Sequence, residues 1–212
     1  MPTYRNAREF LEAVFRHYRT LSSYSDTGKS HRPNCIRLQQ VTFSTDFVAP
    51  NNFRFAFESP HPYRKLRHLK AEVIVGIHLG TPYFFDQTYS FPSAIETPES
   101  LEFAIAGATG ISNGTAHTIG YLLFPEVGGN TILHLRRLRF RRNLIIDGVH
   151  CISVSGLHPR GGRVTAWFGA HDLLLRRMVE YKFREEELHT NIRTGHALPG
   201  DLFLPPKILS QE

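Results

Sequence analysis

The first apolar residues recur at steps of three and four: Phe10, Val14, Tyr18 and Leu21, with Leu11 and Phe15 beside them. That stripe, set against Arg8, Glu9, Glu12, Arg16 and Arg19, predicts one amphipathic helix. Ser22, Ser23, Ser25, Asp26 and Gly28 end the helical pattern, and the period changes to two. Val41, Phe43, Thr45 and Phe47 share one face of a predicted strand, and Pro50-Asn51-Asn52 makes a turn. Phe53, Phe55 and Phe57 alternate with Arg54, Ala56 and Glu58, a half-buried strand with an aromatic inner face. Val73, Val75, Ile77 and Leu79 alternate next, and Tyr83-Phe84-Phe85 follow Gly80-Thr81-Pro82. To about Gln87 the chain therefore reads as an antiparallel meander.

The middle returns to helix. Thr97, Pro98 and Glu99 supply a capping hydroxyl, a first-turn proline and an acid near the positive end of the dipole. Leu101, Ile105 and Ala108, with Ala104, give a short apolar helix over Pro98 to Ala108, and a second is predicted over Thr115 to Leu123. Both are apolar on more than one side, which predicts that they are covered. The last third alternates again. Leu133 and Leu135 have one parity and Leu138 and Phe140 the other, predicting a bulge near Arg136-Arg137. Asp147-Gly148 predicts a hairpin between Leu144–Ile146 and Val149–Val154. Further strands are expected over Arg163–Phe168, Leu173–Phe183 and Glu187–Thr194.

Length and composition bound the answer. With 212 residues, 41% of them hydrophobic and 16 of them Phe, the chain can fill a sizeable core, and one domain over 1–212 is expected. No run approaches the roughly 18 apolar residues of a membrane span. A net charge of +6 favours anionic partners without choosing among them. Two cysteines exclude a disulfide-built mini-fold and a four-cysteine zinc site; Cys35 and Cys151 could pair or stay free. The first residues lack the basic-then-apolar profile of a secretory signal, leaving a cytoplasmic protein or a chain without its leader.

The candidate chemistry is thin. Gly110-Ile-Ser112-Asn-Gly114 fits G-x-S-x-G, but the preceding segment is helical, whereas a nucleophile elbow needs a strand there. Asp147 or Asp172 with His189 could be nominated as partners, and nothing in the spacing makes them converge. The 12 histidines lack the i, i+4 pairing of zinc enzymes, and no phosphate loop occurs, so no cofactor or metal is expected. The densest charge run, Arg136-Arg-Leu-Arg-Phe-Arg-Arg142, would place Arg137, Arg139 and Arg141 on one side of a strand. Such a ladder suits phosphates or simply solvates a sheet edge. Nucleic acid is the less expected partner, since no exposed aromatic platform accompanies it.

The order of elements resembles the outer-membrane lipoprotein carrier (LolA/LolB-like) superfamily, in particular its uncharacterised lipoprotein-sorting-like branch. The similar segments are 18–26 after the first helix, Phe47-Val-Ala-Pro-Asn-Asn-Phe-Arg-Phe55, Ala104 to Ser112 with Ala116-His117, Asp147-Gly-Val-His-Cys151, Trp167 to Arg177, and Asp201-Leu-Phe-Leu-Pro-Pro206. The resemblance implies an α+β fold: a strongly curved antiparallel sheet, an incomplete β-barrel, with one long N-terminal helix. Short helices would cover or plug an apolar hollow. It also implies a periplasmic or extracellular setting. The carrier has an arginine before the proline of the strand end, where this chain has Ala49, so the resemblance carries the barrel and not the shuttling mechanism.

The expectation is a non-enzymatic protein that binds or carries a lipid-like or lipidated ligand in a half-barrel cavity. Phe43, Phe53, Phe55, Val73, Val75, Ile77, Phe85, Leu101, Ile105, Leu122 and Trp167 are the expected ligand-binding residues. The alternative is a packed scaffold domain mediating protein–protein interaction at the cell envelope.

Overall fold

A computed structural model of the chain describes residues 4–32, 39–60, 70–88, 94–109, 112, 114–124, 126–127, 132–159 and 161–206. Helix α1 spans Ala7–Arg19. The Asn6 side chain starts it, accepting the Glu9 amide at 2.9 Å, and Phe10, Leu11, Val14, Phe15 and Tyr18 form its buried stripe.

Twelve strands follow, all in one antiparallel sheet: β1 (Ser23–Arg32), β2 (Gln39–Val48), β3 (Asn52–Pro60), β4 (Lys70–His78), β5 (Thr81–Thr88), β6 (Ala94–Glu96), β7 (Arg136–Phe140), β8 (Leu144–Ile146), β9 (Val149–Leu157), β10 (Arg163–Gly169), β11 (Leu175–Glu180) and β12 (Glu185–Thr194). Neighbours run β6-β5-β4-β3-β2-β1-β12-β11-β10-β9-β7, with β8 also on β9. Because β1 pairs with β12, the two meanders join into one curved sheet. Its end strands, β6 and β7, do not pair, so the barrel is incomplete. The main core lies between the inner face of this sheet and the three helices.

Most of the predicted punctuation is present. Asp147 and Gly148 both have positive φ, 47° and 77°, as a tight hairpin between β8 and β9 requires. The β7–β9 register slips between Arg136 and Arg139, with Arg137 at φ 52°, which is the bulge. Several details differ. Helix α2 spans Leu101–Thr109, and the Ser100 hydroxyl, not Thr97, accepts the Phe103 amide at 3.3 Å. Strand β11 ends at Glu180, leaving Phe183 in the turn to β12. Strand β1 sits at the seam of the sheet, although only Tyr24 among its inward residues is a large apolar one; Asp26, Gly28, Ser30 and Arg32 share its parity. Helix α3, Thr115–Leu123, spans the predicted residues.

Candidate ligand-binding site

The hollow is filled at one side and open at the other. Over β2–β5, α2 and α3 plug it. Phe53, Phe55, Val73 and Val75 are fully buried, Phe43 nearly so, and Ile77 packs at the margin of the same core. The Phe124 ring, just after α3, meets Phe47 and Phe53 edge-on at 5.4 Å each. Ile105 is also fully buried. It sits where α2 meets α3 at Gly120, and a β-carbon built on Gly120 would lie 2.7 Å from Ile105 Cδ1. The glycine is what lets the isoleucine in. Leu101 is buried on the same face of α2.

Over β10–β12, α2 and α3 leave a cavity of about 720 Å³ above the sheet, within the ~300–1,000 Å³ usual for ligand pockets. Phe15, Tyr121 and Leu122 line it from the helices, Val164 and Met178 from the sheet, and Ala106 presents a small side chain from α2. The Phe15 and Tyr121 rings pack edge-on at 5.3 Å. One end is polar: Glu180, Glu185 and Glu187 face in from β11 and β12, with Arg32 beside them. The Arg32 guanidinium lies 4.7 Å over the Phe183 ring. Burial pushes the Glu185 carboxyl up to about 7; Arg32 draws it back, and Glu187 and Glu180 raise it further.

Of the expected ligand-binding residues, Leu122 alone lines this cavity. Phe43, Phe53, Phe55, Val73, Val75, Ile77, Leu101 and Ile105 come together in the plugged half instead. Phe85 and Trp167 have the other parity. Phe85 packs with Ile74 and Tyr83 on the outer face, and Trp167 lies beneath the Arg177 guanidinium, 4.9 Å from its ring centre.

A buried polar chain, missed in the sequence, runs beneath the cavity. His189 Nδ1 is 2.6 Å from Asp26 Oδ2, and its Nε2 is 3.1 Å from Glu187 Oε1, an ion-pair distance off a good hydrogen-bond line. The Tyr24 hydroxyl donates to the same Asp26 oxygen at 2.7 Å, and Thr118 on α3 donates to Glu187 Oε2 at 3.0 Å. Burial alone would push the imidazole down. Hydrogen bonds and charges from Asp26 and Glu187 outweigh it and hold His189 up at about 9. Gly28 pairs with Phe43 on one side and His189 on the other, and with no side chain there the Phe43 ring reaches the imidazole at 5.2 Å. The signal available in the sequence was parity: Glu185, Glu187 and His189 share one face of a strand.

Ser112, the centre of the G-x-S-x-G match, is buried, and its oxygen accepts the Ala116 amide at 3.3 Å. It caps α3. His189 has both nitrogens against carboxylates, while Asp172 pairs with Arg176 and Asp147 turns the hairpin. Among the described residues no group of three His, Cys, Asp or Glu side chains is placed to hold a metal. Cys151 is buried, and Cys35 lies outside the described residues.

No family model and no curated protein matches the sequence. Solved structures do. MucB matches with a TM-score of 0.56 at 10% identity over 95% of this chain and 63% of its own. LprF from Mycobacterium bovis gives 0.52 and 15% over 91% and 94%. An uncharacterised conserved protein from Thermus thermophilus gives 0.53 and 11% over 95% and 94%. This chain thus spans less than two thirds of MucB but nearly all of LprF. At such identities the shared property is the fold, and it is the half-open, helix-covered sheet that the LolA/LolB-like resemblance implied.

Proposed function

We propose that the protein binds an apolar or amphipathic ligand, a lipid or a lipidated polypeptide, in the cavity between α3 and strands β10–β12. The observation that carries this reading is the asymmetry of the hollow. The same two helices that close-pack over β2–β5 leave about 720 Å³ over the other half of the sheet. A scaffold that needed only a core would gain by closing onto Phe15, Leu122, Val164 and Met178, because apolar side chains left against open space forfeit dispersion contacts. The apolar body of the ligand would lie against Phe15, Leu122, Val164 and Met178, with its polar end toward Glu180, Glu185 and Arg32. The role is carriage rather than catalysis. Its setting is the cell envelope, in keeping with the lipoprotein-carrier resemblance. Among the described residues no helix is long and apolar enough to cross a membrane.

Native mass spectrometry of protein purified without detergent, with solvent extraction of the same sample, tests the reading. Co-purifying apolar mass released by extraction is the expected result. Its absence, together with failure to take up any added fatty acid, would leave the packed-scaffold reading. That alternative gains support from the fold's occurrence in MucB, which has been solved in complex with MucA.

A further inference from the structure

Strands β7 and β8 lie end to end along the same edge of β9, joined through residues 141–143. The Arg141 amide donates to Ser153 O at 3.0 Å, and the Ser153 hydroxyl donates to Arg142 O at 3.0 Å. Residues 136–146 therefore form one continuous rim, about 26 Å long, the eight steps of ~3.3 Å between the first and last of the nine residues of β9.

Between 136 and 150 the chain carries five arginines, Arg136, Arg137, Arg139, Arg141 and Arg142, against one acid, Asp147. That excess of four accounts for most of the +6 on the whole chain. All five are exposed, and none forms a salt bridge among the described residues. Arg139 pairs with Ser155, whose parity is that of the outer face, and Arg141 follows two residues on. Two apolar side chains stand on the inward parity of the same rim, Phe140 at 41% exposed and Ile145 at 64%.

We propose that this rim docks edge-on against an anionic lipid bilayer, the arginines on lipid phosphates and Ile145 in the acyl boundary. Charge complementarity selects a polyanionic surface. The exposed aliphatic side chain selects lipid over nucleic acid, for which Ile145 offers neither a hydrogen bond nor a stacking plane. The Phe140 ring is already packed against Phe10, at 6.0 Å and 60°, and is no base-stacking platform. Long arginine stems can hold their heads at the phosphates while an apolar side chain enters between them.

Vesicle flotation tests the proposal, with phosphatidylcholine vesicles that contain or lack phosphatidylglycerol. The native protein should float only with phosphatidylglycerol vesicles and release as salt rises. Replacing Arg136, Arg139 and Arg141 together by Gln should weaken binding roughly a hundredfold, on the order of fivefold per arginine. Ile145→Ser should weaken it about tenfold. These exposed changes should leave the melting temperature where it was. The proposal fails if native protein ignores both vesicles or floats equally with both, or if the triple variant binds like the native chain. It fails also if Ile145→Ser is without effect while a duplex oligonucleotide competes the protein off the vesicles, which would assign the rim to nucleic acid.

Discussion

Thr118 on the covering helix donates a 3.0 Å hydrogen bond to Glu187 on β12, and this one contact ties the roof of the cavity to its floor. Glu187 in turn faces His189, and His189 faces Asp26 on the first strand, so the roof is anchored to the seam where the two halves of the sheet join. Hydrogen bonds to charged groups contribute more than neutral ones, so Thr118→Val should cost ~1.5–3 kcal/mol. Urea unfolding would read this as a lower midpoint at unchanged slope.

The imidazole between two carboxyl groups makes stability depend on pH. His189 stands at about 9 in the fold against ~6.5 in the unfolded chain. Its folded value is the higher, so its contribution is complete below ~6.5 and is lost as pH rises through about 9. Melting temperature should therefore fall from pH 7 to pH 9.5. Asp26→Asn should cost ~3–5 kcal/mol, because it removes one partner of a buried pair, and should flatten that fall. An Asp26→Asn variant that keeps the full native pH dependence would dissociate the two residues.

Gly28 is required by its neighbours and not by its backbone angles. A β-carbon there would lie 2.1 Å from the Phe43 ring and 2.3 Å from Leu188 O. Gly28→Ala must displace either the ring or a strand, so a loss of at least ~1–3 kcal/mol is expected from overpacking alone. The disturbance should appear in the His189 ring signals by NMR before it appears anywhere in the plugged half.

Glu185 behaves with the opposite chemistry and the same sign. Burial raises its folded value to about 7, above the ~4.3 of an unfolded chain. The stabilisation is thus complete below ~4.3 and is lost as pH climbs through about 7. Glu185→Gln should be more stable than the native protein at pH 8 by on the order of 1 kcal/mol, once solvent screening of a partly exposed group is allowed for. The gain should vanish at pH 4. Equal melting shifts at both pH values would contradict the assignment.

Wherever alternation was apolar the architecture was legible. The aromatic face of Phe53, Phe55 and Phe57, the Asp147-Gly148 hairpin, the arginine bulge and α3 all stand where periodicity and turn chemistry put them. Strand β1 was not legible, because its inward face is mostly polar or small and its burial depends on partners more than 160 residues away, such as His189 across from Gly28. Which part of the wall borders open space was not legible for a related reason. Apolar strand residues show that a wall is covered without showing by what. Phe53 and Phe55 are covered by the protein's own helices, whereas Val164 borders the cavity.

If the open half holds the ligand and the plugged half is only core, two adjacent residues of α2 separate the halves. Ile105 is buried against Gly120, whereas Ala106 faces the cavity. The decisive measurement is titration of a fluorescent fatty acid, with melting temperature on the same samples, for Ile105→Ala and Ala106→Trp. Ile105→Ala should lose ~2–5 kcal/mol of stability and keep the native affinity. Ala106→Trp should melt close to the native protein and lose most of its probe binding, its indole occupying the space. Unchanged uptake by Ala106→Trp, with uptake lost in Ile105→Ala at temperatures where that variant is folded, would place the ligand under the plug and contradict the account.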